Sequence, residues 1–181
     1  MILAGGTSSR MGRDKALLAQ SGVSQLVRLA RVGAGLGLPI CVCGRTAPAD
    51  WSGPAANFLP DAVAGEGPLR GLATGLEQAE EVVLLACDLP RLEASGVQWL
   101  LDRPSGTWGA GTVRAGQPEP LASRYRRACL PAVLQELSAG RRSPRALLAA
   151  PEFTLHEVPT ELAAQFDDAD TPGDWQRLTS R

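Results

Sequence analysis

The stretch Met1-Ile-Leu-Ala-Gly-Gly-Thr-Ser-Ser-Arg-Met-Gly-Arg-Asp-Lys15 decides how the fold is read. Met1–Ala4 is a short apolar run, read as a buried strand, and it passes directly into Gly5-Gly6. A strand running into a glycine-rich turn ahead of a helical segment is where an open α/β sheet places its ligand. Gly5 and Gly6 let the backbone approach a bound group and turn its N–H donors inward as an anion nest. Arg10, Arg13 and Lys15 add three cations to that nest, and Lys15 is the only lysine among 18 Lys and Arg residues. Lysine meets phosphate as a compact point charge, whereas the planar fork of arginine imposes its own geometry. The spacing is neither the G-x-x-x-x-G-K-[ST] of a P-loop nor the G-x-G-x-x-G of dinucleotide folds.

Outward from this loop, strands and helices alternate. Ser24–Leu36 has helical spacing through Leu26, Val27, Leu29, Ala30 and Val32. Pro39–Gly44 and Asn57–Pro60 read as strands, the second ending at Asp61. Pro68 sits where a helix begins, with Leu69, Leu72, Ala73 and Leu76 on one face up to Ala79. Val82–Ala86 is a continuous apolar run of the kind buried on both sheet faces, and helical spacing resumes over Leu92–Leu101. In the second half, Trp108–Val113 and Leu121–Tyr125 read as strands around a Gly116–Pro120 loop. Cys129–Leu137 and Ser143–Leu148 read as helical, Thr154–Val158 as extended, and Pro172–Leu178 as a closing helix. The pattern predicts an α/β, Rossmann-like three-layer sandwich with a mostly parallel central sheet. No repeat or long linker divides the 181 residues, so a single domain is expected, with one half over about residues 1–103 and the other over about 104–181.

Composition narrows the function classes. Aromatics make up 4% of the chain and the net charge is −1, which argues against a nucleic-acid partner and requires any polyanion to be met by local cations. No apolar run reaches transmembrane length, so no membrane partner is expected. Cys41, Cys43, Cys87 and Cys129 form no C-x-x-C pair and His156 is the only histidine, which speaks against zinc. Cys41 and Cys43 share one face of their strand as buried thiols, and a reducing, cytoplasmic compartment is expected. His156 reads as structural.

Three further constellations face the same crevice. Asp88 directly follows the buried strand and can either cap the next helix or hold Mg²⁺ beside phosphates, since that ion takes one or two protein carboxylates and completes its shell with phosphate oxygens and water. Asp61 ends another strand and is either a crevice residue or a turn aspartate. In Gly65-Glu-Gly-Pro-Leu-Arg-Gly71 the glycines around Pro68 make a rigid turn whose N–H groups are expected to point outward, which suits a base edge or a phosphate but equally any helix start. A basic set, Arg124, Arg126, Arg127, Arg141, Arg142 and Arg145, is either solvated surface or a dock for a second phosphorylated molecule; in a helix Arg141 and Arg145 would share a face.

With these residues in view, the chain resembles the molybdenum cofactor guanylyltransferases, within the broader sugar-nucleotide-type nucleotidyltransferases of Rossmann-like fold. The matching segments are Leu3-Ala-Gly-Gly-x-x-x-Arg-Met-Gly-x-Asp-Lys15, Gly67-Pro-Leu-x-Gly71 and Cys87-Asp-Leu-Pro90, with Gly140-Arg-Arg142 and Asp170-Thr-Pro172 matching more loosely. The resemblance implies transfer of GMP from GTP to the terminal phosphate of the molybdenum-bearing pterin, with release of pyrophosphate. It implies that Leu3, Ala4, Gly5, Lys15, Asp61 and Asp88 contact GTP, with Asp88 also on Mg²⁺; Gly6, Gly67, Pro68 and Leu69 join the nucleotide-binding candidates from the two glycine turns, and Lys15, Asp88 and Arg10 are the catalytic candidates. Arg124, Arg141, Arg142, Asp168 and Asp170 are the acceptor-side candidates, and transient contact with molybdoenzymes or their chaperones follows from the same resemblance. Two positions depart from the family. Its asparagine after the second strand is missing from Val42-Cys-Gly-Arg45, and its Asn-Thr-Pro reads Asp170-Thr-Pro172. The alternatives are a cytidylyltransferase for the same pterin, another nucleotidyltransferase, or a nucleotide-binding chaperone that does no chemistry. Retention of Lys15 and Asp88 together speaks against the last.

Overall fold

The computed structural model describes residues 1–5, 14–60 and 67–180. Its elements, in chain order, are β1 (Ile2–Leu3), β2 (Ala19–Gln20), β3 (Val23–Ser24), α1 (Gln25–Gly35), β4 (Ile40–Cys43), β5 (Ala56–Leu59), α2 (Gly67–Gln78) and β6 (Glu81–Ala86). They continue with α3 (Ala94–Leu101), β7 (Gly109–Arg114), β8 (Gln117–Pro118), β9 (Ala122–Arg126), α4 (Leu130–Ser138), β10 (Phe153–Glu157), α5 (Thr160–Ala163) and α6 (Pro172–Thr179). One sheet runs β10-β7-β9-β6-β1-β4-β5, with β8 pairing to β7. β1 is parallel to β4 and β6, β4 to β5, and β7 to β10, whereas β9 runs antiparallel to both β6 and β7. The sheet is therefore mostly parallel, as the alternation of elements predicts.

Strand β6 shows why its sequence reads as an unbroken apolar run. Val82 and Leu84 pack with Leu69, Leu72 and Leu76 of α2 and Val133 of α4, while Val83 and Leu85 face a second core with Leu26 and Leu29 of α1 and Val97 of α3. A strand covered by helices on both faces needs apolar side chains at every position. Two cores on opposite faces of one sheet make the three layers. β1 is only two residues long, but both neighbours hold it: Ala4 N donates to Cys43 O at 2.9 Å and Leu85 N to Met1 O at 2.9 Å. Gly71 and Gly75 let α2 lie close over it, because a Cβ on Gly71 would stand 2.5 Å from Leu3 Cδ2 and one on Gly75 would run into Met1 Sδ.

Several segments differ from the sequence reading. Gly116–Pro120 is not a loop throughout. Ala115 at φ 50° and Gly116 at φ 73° form a tight turn that folds Gln117 and Pro118 back onto Arg114 and Val113. Ser21 at φ 51° and Gly22 at φ 79° make the same kind of turn between β2 and β3, a hairpin too short to show strand periodicity. Pro144–Ala149 is 3₁₀, not α-helical, and begins after Arg141, so Arg141 and Arg145 share no helix face. The third helix begins at Ala94, two residues after the predicted Leu92. Among the described residues, no helix is long and apolar enough to cross a membrane.

Candidate active site

The carboxyl ends of β1, β4 and β6 form one edge of the sheet, and the residues after each strand converge there. Gly5 follows β1 and Gly44 follows β4. Gly44 sits at φ 95°, and a Cβ there would stand 2.5 Å from Gly5 N and Cα, so only glycine lets the two strand ends meet. Asp14 then caps the 3₁₀ turn Lys15–Leu17: its Oδ1 accepts from Ala16 N at 3.0 Å, and its Oδ2 accepts from Arg45 Nη2 at 2.9 Å. That turn aims Lys15 at the residue after β6.

The Lys15 ammonium donates to Asp88 Oδ2 at 3.2 Å and to Asp170 Oδ1 at 2.8 Å. Ala169 N donates to Asp88 O at 2.9 Å, which ties the 167–170 segment to the end of β6. Burial works against the ammonium, but the hydrogen bond to Asp170 and the charge of Asp88 outweigh it, and the lysine pKa is raised. Burial also dominates at Asp88 and raises its pKa; Lys15 pulls it down, while Asp168 and Asp170 push it further up. Both side chains are largely shielded from solvent, Lys15 at 14% and Asp88 at 23% exposure, and Asp168 and Asp170 stand near Asp88 as further carboxylates. Among the described residues no group of three or more His, Cys, Asp or Glu can hold a metal by itself. A lone carboxylate at this strand end is of the kind that can hold an ion sharing its shell with a ligand's phosphate oxygens.

Beside this pair, Asp88, Glu119, Ser143, Arg145, Phe166 and Asp168 line a cavity of about 230 Å³. Arg114 organises one wall, with Nε 3.2 Å from Glu119 Oε1, Nη1 2.9 Å from Asp167 Oδ1 and Nη2 3.8 Å from Asp168 Oδ1. A larger cavity of about 910 Å³ lies behind Pro90, between Arg28, Arg91, Gln165 and Leu178. We do not place the chemistry there, since Arg28 already donates to Leu89 O and Leu92 O, and Arg91 to Leu178 O.

The structure brings some sequence candidates together and separates others. Leu3, Ala4, Gly5, Lys15, Asp88, Asp168 and Asp170 all lie around the carboxyl edge. Gly67, Pro68 and Leu69 form the first turn of α2, but the Leu69 N–H expected to point outward donates to Arg142 O at 2.9 Å and serves the fold. Arg142 instead packs against Gly67, where an added Cβ would stand 3.0 Å from Arg142 Cβ. Arg124 is not in the crevice: it is buried at the opposite edge, bonded to Leu101 O, Arg103 O and Ser105 Oγ, with Nε 3.3 Å from Glu81 Oε1. Its place in a strand that runs antiparallel to β6 carried it to the far end. Arg141 pairs with Glu136 of α4, Arg126 with Glu81 and Arg127 with Glu80. His156 has Nε2 2.8 Å from Pro104 O, in keeping with a structural role. Gly6, Arg10 and Asp61 lie outside the described residues. Arg45 and Arg114 were not singled out from sequence. Each is one arginine among many, and only strand pairing shows what it faces.

Comparison with known proteins bears on this geometry. The model of the family described as MobA-like NTP transferase domain matches residues 1–158. A probable molybdenum cofactor guanylyltransferase of Synechococcus elongatus is 35% identical, covering 98% of this chain and 96% of its own length. A molybdenum cofactor guanylyltransferase of Pseudomonas putida is 36% identical over 93% of this chain and 87% of its own. Among solved structures, molybdopterin-guanine dinucleotide biosynthesis protein A from Archaeoglobus fulgidus superposes with a TM-score of 0.76 at 18% identity, over 98% of this chain and 95% of that one, a likeness of fold.

Proposed function

The chain belongs to the MobA-like NTP transferase family, and on that premise we propose that this nucleotidyltransferase moves GMP from GTP to the terminal phosphate of a molybdopterin-type cofactor. The observation that carries the reading is the Lys15 ammonium held between Asp88 and Asp170 at the end of the glycine-containing turn. An acceptor phosphate oxygen attacks the α-phosphorus of GTP, a new P–O bond forms, the bond to the β-phosphate breaks, and pyrophosphate leaves. The acceptor is already ionised, so no general base is required. What the protein must overcome is repulsion between two anions, which makes positioning and charge neutralisation the main tasks.

In this reading Lys15, with Arg10, neutralises the departing pyrophosphate, the backbone of Leu3–Gly5 holds the nucleotide, and Gly6, Asp61 and Gly67 are further nucleotide candidates. Asp88 is the residue that would hold Mg²⁺, which supplies charge neutralisation at the phosphates when bound. Arg145, facing Asp88 across the smaller cavity, is the member of the basic set best placed for the acceptor phosphate, with Asp168 and Asp170 on the same side. The nucleotide then belongs to the half before about residue 103 and the acceptor to the half after it. Four free cysteines suit a cytoplasmic setting, and product hand-over to molybdoenzymes or their chaperones is part of the same proposal.

Guanine is favoured over cytosine because relatives at 35% and 36% identity over nearly the whole chain are named guanylyltransferases. The test is pyrophosphate release with Mg²⁺ and pterin acceptor, with GTP, CTP and ATP in competition. GTP is expected to win by well over tenfold, because a polar site matched to one base leaves its own groups unpaired with another. Better use of CTP would assign the chain to cytidylyl transfer, and nucleotide binding with no release would leave the chaperone reading.

A further inference from the structure

Arg45 stands immediately after Gly44, whose backbone lies against Gly5. One donor of its guanidinium is accounted for, since Nη2 binds Asp14 Oδ2 at 2.9 Å. Its Nε and Nη1 are shut off from solvent and have no hydrogen-bond partner. Buried guanidinium donors without acceptors are costly, and a native structure rarely leaves them so without a reason. Nothing in the described fold supplies that reason. Asp14 bonds Nη2 alone, and among the described residues no acceptor reaches Nε or Nη1.

We infer that Arg45 is a nucleotide-binding residue whose Nε and Nη1 donate to acceptor oxygens of the bound nucleoside triphosphate. Three features favour this ligand. The position lies beside Gly5, where the backbone is open to close approach. A nucleoside triphosphate presents acceptors along its phosphates and ribose. The Asp14 contact fixes the guanidinium against the turn that carries Lys15, so the donors are positioned before the ligand arrives. The inference rests on the nucleotidyltransferase reading but adds to it a residue that the resemblance does not assign.

The test compares Arg45→Met and Arg45→Lys with wild type, using thermal unfolding without ligand and calorimetric binding of Mg·GTP and of Mg·tripolyphosphate. Methionine removes the orphaned donors while keeping bulk, so the ligand-free melting temperature should stay within about 3 °C of wild type. Lysine keeps a cation opposite Asp14 and protects the fold if methionine does not. Both variants are expected to bind GTP at least about tenfold more weakly, the loss of one or two charge-assisted hydrogen bonds. An equal loss with tripolyphosphate places the donors on the phosphates, and a loss with GTP alone places them on the nucleoside. GTP affinity within twofold of wild type in Arg45→Lys, or in a stably folded Arg45→Met, overturns the inference and leaves the proposed reaction standing. A wild-type chain that binds GTP but transfers no GMP removes the proposed reaction and leaves Arg45 standing.

Discussion

The two edges of the sheet both bury charge, but they treat it differently. At the amino edge, Arg124 is enclosed with acceptors for its guanidinium from Leu101, Arg103 and Ser105, and Glu81 lies 3.3 Å away. At the carboxyl edge, Lys15 faces two carboxylates, burial raises the pKa of Asp88, and two donors of Arg45 have no partner among the described residues. The first arrangement leaves only Arg124 Nε without a hydrogen bond, and Glu81 supplies an opposite charge 3.3 Å from it. The second leaves two donors of Arg45 open beside converging strand ends, and that combination is what marks it as the candidate site.

If the contrast holds, substitutions at the two edges fail in opposite ways. The largest effect is expected at the carboxyl edge: Lys15→Ala or Asp88→Asn should cut GMP transfer by roughly a thousandfold, with far-ultraviolet dichroism unchanged. Lys15→Arg should also be impaired, since the fork cannot take the position of the ammonium between Asp88 and Asp170. Full turnover in Lys15→Arg would break the argument from the lone lysine. Arg124→Met should instead cost about 2–3 kcal/mol in urea unfolding, because three acceptors and Glu81 lose their donor, while turnover per folded molecule holds. A loss of turnover at full stability would return Arg124 to the acceptor site.

A smaller effect separates function from stability at Asp88. Its pKa is raised in the folded state, so the protonated form is favoured by folding. Ionisation therefore costs stability, and that cost appears as pH rises through the folded pKa. Asp88→Asn should melt higher than wild type at pH 7, with the gap closing as pH falls below the ordinary carboxylate value. A lower melting temperature at pH 7 would mean that the Lys15 contact outweighs burial.

The smallest effect distinguishes cysteines near the two edges. A hydrogen bond from Cys43 lowers the Cys41 pKa to about 7, against a smaller opposing effect of burial, whereas burial pushes Cys87 up to about 12. Iodoacetamide at pH 7.5 should modify Cys41 well before Cys87, as read by peptide mass spectrometry. Equal rates would show that access, not ionisation, controls both.

How much of this was legible in the sequence follows the same division. The parallel half was readable because β6 at its centre is covered on both faces and the candidate site residues follow its strands closely. Gly5 after β1 and Asp88 after β6 could be placed from local order alone. The second half depends on long-range pairing. The basic residues from Arg124 to Arg145 look alike in sequence, yet β9 runs antiparallel to β6 and carries Arg124 away, while the 3₁₀ turn after Ser143 brings Arg145 to the cavity. Two hairpins were missed because each depends on a turn of positive φ at Ser21-Gly22 or Ala115-Gly116 and on strands of two residues or fewer than a period can show. Arg45 was invisible because its meaning lies in donors left without acceptors, which no pattern of residue types records.

The most direct measurement is a crystal structure of the chain with a non-hydrolysable GTP analogue and Mn²⁺, whose anomalous signal locates the metal without ambiguity. The expected density places the triphosphate along Gly5 and Lys15, the manganese on Asp88, and an acceptor oxygen within hydrogen-bond distance of Arg45 Nε or Nη1. A nucleotide bound behind Pro90, or manganese away from Asp88, would contradict the assignment of the carboxyl edge as the site of transfer.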